Sequence, residues 1–176
     1  MKKTMEELSR ELGERALSAR AMIATAESCT AGGIAFAITA TPGSSEWFSR
    51  GYVTYANEAK IEMLGVDPGL IERQGAVSEP VAGAMARGAI ERGGVDFSVS
   101  VSGIAGPGGA MPGKPVGTVC FGYGCKAGGQ VEIRTETLHF EGDRGAVREQ
   151  TIEAALSGLI REIGRIRSRR PGRGAN

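Results

Sequence analysis

The amino-acid sequence predicts an α/β domain built on a mixed β-sheet covered on both faces. Helical and extended segments alternate through roughly the first hundred residues, two extended segments then follow one another directly, and a long amphipathic helix closes the chain. Strands separated by helices tend to pair in parallel, whereas a hairpin adds antiparallel strands.

Each element has a local reason. Met5, Leu8, Leu12 and Leu17 lie near helical spacing among charged residues, so an amphipathic helix opens the chain. Met22 to Ala26 is a short apolar run and reads as a strand. Thr30 to Ala40 reads as a buried helix of small residues, stopped by Pro42-Gly43. Arg50 to Tyr55 has strand composition, and Asn57 is a good cap for a helix from Glu58 to about Leu64. Ser78-Glu79-Pro80 starts another helix, with serine as cap and proline in the first turn, running to Arg92 before Gly93-Gly94. Val95 to Ser102 alternates as a strand does. Val116 to Tyr123 and Val131 to Phe140 are two more strands, and the segment between them, GCKAGGQ, predicts a hairpin. The last helix spans about Arg144 to Arg167. No linker divides the chain, so residues 1–168 are expected to form one domain and residues 169–176 a frayed basic tail.

Composition narrows the function. The 176 residues suit a single core, and 21 basic residues against 20 acidic ones create no global field. Nucleic acid is therefore not expected as the main partner. The N-terminus has no apolar core of a signal peptide, and no run approaches the roughly 18 apolar residues that span a bilayer. Cys29, Cys120 and Cys125 are odd in number and lack CxxC spacing, so they read as reduced thiols of a cytoplasmic protein. One histidine, His139, in a predicted strand, and scattered acids offer no metal constellation.

Four segments carry candidate chemistry. Glu27-Ser28-Cys29-Thr30 joins a strand to a helix N-terminus, where backbone N–H groups and the helix dipole favour an anion. Simple capping by Ser28 or Thr30 is the competing reading, and Cys29 at that position is a candidate nucleophile or a packing residue. Tyr55 precedes Lys60, which would sit in the first turn of the helix capped by Asn57. There the dipole biases the amine towards its neutral form, the form a serine nucleophile needs in its base. Ser102 to Gly109 follows a strand, and Gly103 and Gly106 allow backbone amides to face a phosphate or an oxyanion. Gly108 to Lys114 matches GxxxxGK, but Pro115 stands where a P-loop needs Ser or Thr and a strand follows, so this is not a P-loop. Asp143 can cap the last helix and leave Arg144 for a bidentate hold on phosphate or carboxylate. The run RIRSRRPGRG could touch nucleic acid or lie solvated.

Taken together, ATAESCTAG, PGSSEWFSRGYVTYANEAK, LGV, GAVSEPV, SVSGIAGPGG, KPVGTV and GDRGAVR closely resemble the CinA C-terminal family, in family order from about Glu6 to Gly158. The resemblance implies a three-layer α/β/α sandwich around a mixed sheet. It also implies metal-independent hydrolysis of the carboxamide of nicotinamide mononucleotide, with no cofactor, giving nicotinic acid mononucleotide and ammonia. Its Ser–Lys pair is carried over to Ser45 as nucleophile and Lys60 as base, with Tyr55 assisting. Ser28, Thr30, Ser102, Gly103, Gly106 and Arg144 would hold the nucleotide or polarise its amide. A homo-oligomer is the expected assembly. Where the family often reads Glu-Ser-Cys-Thr-Gly-Gly, this chain has Ala31 at the first glycine. The rival is a non-catalytic nucleotide-binding protein with a competence- or DNA-damage-related role.

Overall fold

The computed structural model describes residues 1–169. Five strands form one sheet in the order β2-β1-β3-β4-β5: β1 (Ile23–Glu27), β2 (Phe48–Val53), β3 (Phe97–Gly103), β4 (Thr118–Ala127) and β5 (Gln130–His139). β1 pairs in parallel with β2 and β3, and the β3–β4 and β4–β5 pairs are antiparallel. The sheet is mixed, as predicted, and helices cover both faces. On one face lie α1 (Met5–Ala19), α2 (Gly33–Thr39) and α6 (Arg144–Arg169), which bury Leu12, Ile34, Ile38, Leu156 and Ile163 against Ile23, Val99, Val101 and Phe121. On the other lie α3 (Asn57–Leu64), α4 (Pro68–Gln74) and α5 (Glu79–Gly93), which pack Leu64, Ile71, Val81 and Met85 against Ala24 and Ala26.

Strand alternation explains how both faces are covered. In β3, Val99 and Val101 enter the first core, while Ser98, Ser100 and Ser102 point to the other side. Those serines are buried, and they donate to carbonyls of Ala86, Ala82 and Ala76. Small residues let α5 lie close on the strand, and the carbonyls give each buried hydroxyl an acceptor.

Several boundaries differ from the sequence-based expectation. The helix expected from Thr30 begins at Gly33, because residues 28–32 form a tight turn in which Ala31 N–H donates to Ser28 O. Asn57 is the first helical residue and not the cap; Ala56 holds the cap position without a side-chain bond. The hairpin is tighter than GCKAGGQ implied: β4 continues to Ala127, and only Gly128 and Gly129, both at positive φ, make the turn. α4 was not anticipated, although its signals are present: Asp67 accepts from Gly69 N–H, Pro68 follows, and Gly75 ends it. In α1, Thr4 and Glu7 make a reciprocal capping box. The expected boundary of the tail shifts too. Arg169 is still helical and pairs with Glu132 of β5, whereas residues 170–176 lie outside the described residues.

Ala31 is exposed yet adopts φ 48°, a left-handed conformation that costs an alanine about 1 kcal/mol. Ala31→Gly is therefore expected to stabilise the fold by about 0.5 kcal/mol, the relieved strain less the entropy glycine adds to the unfolded chain. Urea unfolding of the two proteins checks this, and an unchanged or lower midpoint would contradict it.

Candidate active site

The C-terminal ends of β1, β2 and β3 meet where the chain leaves the sheet towards opposite faces: α2 follows β1 on one side and α3 follows β2 on the other. Crevices at such switch points are the usual ligand sites of open α/β sheets. Here the crevice is a hollow of about 230 Å³ whose lining includes Ser28, Cys29, Tyr55, Lys60, Ser102 and Arg144.

Its centre is a serine and a lysine. Ser28 directly follows β1, held by its N–H donating to Val101 O. Lys60, in the first turns of α3, is only 1% exposed. Its Nζ lies 3.2 Å from Ser28 Oγ, 2.9 Å from Thr54 O and 3.2 Å from Tyr55 O. Burial lowers its pKa below the ordinary 10.5, against a smaller opposing pull from Cys29. Desolvation in the crevice, which the sequence did not display, thus shifts the amine towards its neutral form. A neutral amine has two N–H groups and one lone pair. Here Nζ donates to both carbonyls and to Ser28 Oγ; a neutral amine that kept the two carbonyl bonds would turn its lone pair to the Ser28 hydroxyl.

Ser45 is not part of this cluster. It is exposed in a single 3₁₀ turn, Ser44–Glu46, that precedes β2, whereas Ser28 follows β1 and Lys60 follows β2. Because β1 and β2 run parallel in register from Ile23↔Phe48 to Glu27↔Val53, Ser45 lies at the opposite end of the strands. A six-residue strand spans roughly 20 Å. The expected Ser45–Lys60 pair is not formed, and Ser28 takes its place.

The predicted anion site at the helix start is also occupied from within. Glu27 is fully buried, and its carboxylate accepts from Ile34 N–H at 2.8 Å, Ala35 N–H at 3.0 Å, Thr30 Oγ1 at 2.6 Å and Thr25 Oγ1 at 3.3 Å. The α2 N-terminus already has its anion, so a ligand phosphate has no place there. Thr30 is buried, donates its hydroxyl to Glu27 and receives Arg148 Nη2 at its carbonyl, 3.2 Å away. It holds the turn and does not face the hollow. Burial pushes the Cys29 thiol up to about 11, with the Glu27 carboxylate adding to it, which argues against a thiolate nucleophile.

The remaining candidates line the mouth. Arg144 donates through Nη1 to Gly106 O at 2.8 Å and through Nη2 to the Tyr55 hydroxyl at 3.2 Å, joining the glycine-rich loop to the end of β2. Asp143 frees it for this by capping α6 through Ala146 N–H. Tyr55 is more than half exposed, and Ser102 Oγ is committed to Ala76 O as donor while its lone pairs stay open. Gly103 lines the hollow directly. Gly106, at φ 84°, contributes its carbonyl to Arg144 and, through its lack of a side chain, room for Val116. Sequence reasoning named Glu27 only as part of the strand-to-helix segment and gave no role to it, to Arg148 or to Thr54. A buried Glu beside a candidate nucleophile was the available signal for the first. Arg148, one turn beyond Arg144 on the same helix face, was the signal for the second. Thr54 Oγ1 is buried without a hydrogen-bond partner.

A larger hollow of about 520 Å³ lies between α1 and α6, with Lys2 and Lys3 on its wall. Both lysines are ion-paired, to Glu153 and Glu11, and neither has a hydroxyl nucleophile beside it as Lys60 has.

The chain belongs to the CinA C-terminal domain family, whose model matches residues 5–163. It is 51% identical over 153 residues to a Pseudomonas putida protein named nicotinamide-nucleotide amidohydrolase PncC, covering 87% of this chain and 93% of that one. It is 52% identical to a CinA-like protein of Chlorobaculum tepidum, covering 82% of this chain. It spans only about a third of the length of that CinA-like relative, 34%. Among solved structures, the competence/damage inducible protein CihA from Agrobacterium tumefaciens superposes with a TM-score of 0.84 at 40% identity, covering 93% of this chain and 99% of that one. A CinA superfamily protein from Escherichia coli gives 0.85 at 38% identity, covering 90% of each chain.

Proposed function

We propose that this chain is a nicotinamide-nucleotide amidohydrolase that uses Ser28 as nucleophile and Lys60 as general base. The observation that carries the reading is the buried Lys60 amine, held by two backbone carbonyls with Ser28 Oγ at 3.2 Å. The likeness to the Pseudomonas enzyme supports the choice of substrate.

The chemistry follows from the geometry. Lys60 takes the hydroxyl proton as Ser28 Oγ bonds to the carboxamide carbon. As the tetrahedral intermediate collapses, the Lys60 ammonium returns that proton to the nitrogen, the C–N bond breaks and ammonia leaves. Water then attacks the acyl-serine ester with Lys60 again as base, releasing the carboxylate and restoring the Ser28 hydroxyl. A hollow of about 230 Å³ is smaller than the 300–1,000 Å³ typical for a whole drug-sized ligand, so it suits the amide-bearing ring. The rest of the nucleotide would cross the mouth, where the guanidinium of Arg144, braced by Tyr55, offers further N–H groups to a phosphate. Binding energy gathered there can serve the reaction at Ser28. A non-catalytic nucleotide-binding role would leave the buried Ser28–Lys60 contact without a use.

The direct test is ammonia release from nicotinamide mononucleotide, with mass-spectrometric trapping of an acyl group on Ser28. No ammonia from the folded protein would overturn the reading. The pH profile is a second test. Lys60 must be neutral, and its pKa is lowered in the folded protein, so kcat/KM should climb with pH along a limb whose midpoint lies below 10.5. A midpoint at or above that value would rule out the buried amine as the base.

A further inference from the structure

We propose that the backbone N–H of Gly103 is the donor that receives the oxyanion formed when Ser28 attacks the amide, an assignment that rests on the Ser28–Lys60 reading above. The argument comes from sheet register. Along β3, even-numbered residues exchange hydrogen bonds with the β4 side: Ile104 N–H donates to Thr118 O, and Asp96 O accepts from Lys126 N–H. Odd-numbered residues do so with the β1 side: Phe97 N–H donates to Met22 O, and Val101 O accepts from Ser28 N–H. The next odd residue is Gly103. Continued parallel pairing would send its N–H to Ser28 O and bring Thr30 N–H to Gly103 O. Neither bond forms, because the chain turns sharply after Ser28 and the Ser28 carbonyl takes Ala31 N–H at 3.0 Å instead. The ladder between β1 and β3 therefore opens one step early, at the nucleophile.

This leaves the Gly103 N–H directed to the β1 side with no protein acceptor among the described residues, on the wall of the hollow that also holds Ser28 and Lys60. Neighbouring strands lie about 4.8 Å apart, so an oxygen on a carbon bonded to Ser28 Oγ falls within reach of the next strand's amide. An unpaired N–H on a rigid strand is already oriented for the charge that develops in the transition state. The residue must also be glycine. A Cβ at position 103 would stand 2.7 Å from the Val119 side chain and 2.9 Å from Thr118 O. A side chain would force β3 away from β4 and displace the amide.

Because Gly103→Ala would disturb packing, the test removes only the N–H. Full-length protein carrying glycolic acid in place of Gly103, made by semisynthesis, has an ester where the 102–103 amide was. Acylation of Ser28 by nicotinamide mononucleotide should slow on the order of 100-fold, with KM and the unfolding midpoint little changed. A structural amide would instead show as lost stability. In the unaltered protein, an aryl boronic acid that adds to Ser28 should move the Gly103 amide proton downfield in the 15N-resolved spectrum. Acylation of the ester variant at the wild-type rate, or a boronate adduct on Ser28 that leaves the Gly103 amide unmoved, would overturn this proposal while sparing the Ser28 assignment. Wild-type protein that never acylates Ser28 would overturn both.

Discussion

Ser28→Ala is expected to lower kcat on nicotinamide mononucleotide by on the order of 10⁴-fold or more, while Ser45→Ala stays close to wild type. The size of the loss is that seen when a nucleophile is removed from a hydroxyl-and-base unit. The contrast between the two serines follows from position: Ser28 Oγ is 3.2 Å from the Lys60 amine, and Ser45 is exposed at the far end of the strands. Substrate affinity should change little in Ser28→Ala, since the attacking oxygen contributes mainly to the transition state. Lys60→Met should match Ser28→Ala, and the double variant should be hardly worse than either, because two groups acting as one unit cannot be lost twice. Thermal unfolding must accompany the assay, as Lys60→Met leaves the Thr54 and Tyr55 carbonyls without their donor. An acyl adduct trapped on Ser45 or Cys29, with none on Ser28, would refute the assignment.

Glu27→Ala is expected to cost about 3–5 kcal/mol of stability, a large share of the 5–15 kcal/mol typical of a domain. The carboxylate is fully buried and satisfies two backbone amides at the start of α2 and two threonine hydroxyls. Truncation strands all of them and removes the anion that complements the helix N-terminus. Glu27→Gln keeps one acceptor oxygen and should lose less. Urea unfolding with an unchanged m-value measures both variants. A loss below about 1 kcal/mol for Glu27→Ala would show that water or a rearranged turn can replace the carboxylate. Since Ser28 is the next residue, activity in Glu27→Gln should fall by more than its stability alone explains.

Much of this site was legible in one dimension. Ser28, Tyr55, Lys60, Ser102, Gly103 and Arg144 were all singled out, and all line one hollow. The roles were harder to read. Two serines stood near plausible helix or turn starts, and nothing local separates Ser28 from Ser45. The choice depends on which end of a parallel strand each occupies, and that is set by pairing between segments distant in sequence. The same limit applies to Lys60. Its place early in a helix was visible, but the dipole expected to neutralise it is a minor matter beside the loss of water around a side chain that is 1% exposed.

The phosphate expected at the α2 N-terminus shows a second kind of limit. A strand-to-helix turn does gather amides that want an anion, and the sequence reading expected that anion to come from a ligand. It had no means to see that Glu27 folds back to supply it. Helix caps, the glycine turn of the hairpin and the alternation of β3 are written in neighbouring residues, because they depend on backbone conformation and on periods of two or 3.6 residues. By itself, then, the sequence determined the strand order along the chain, the mixed sheet, every long helix and most of the residues that line the hollow. Only the tertiary structure decided which serine meets the lysine, which anion fills the helix end and which amide is left unpaired. Those outcomes depend on burial and on register across the sheet, and neither exists until distant segments pack.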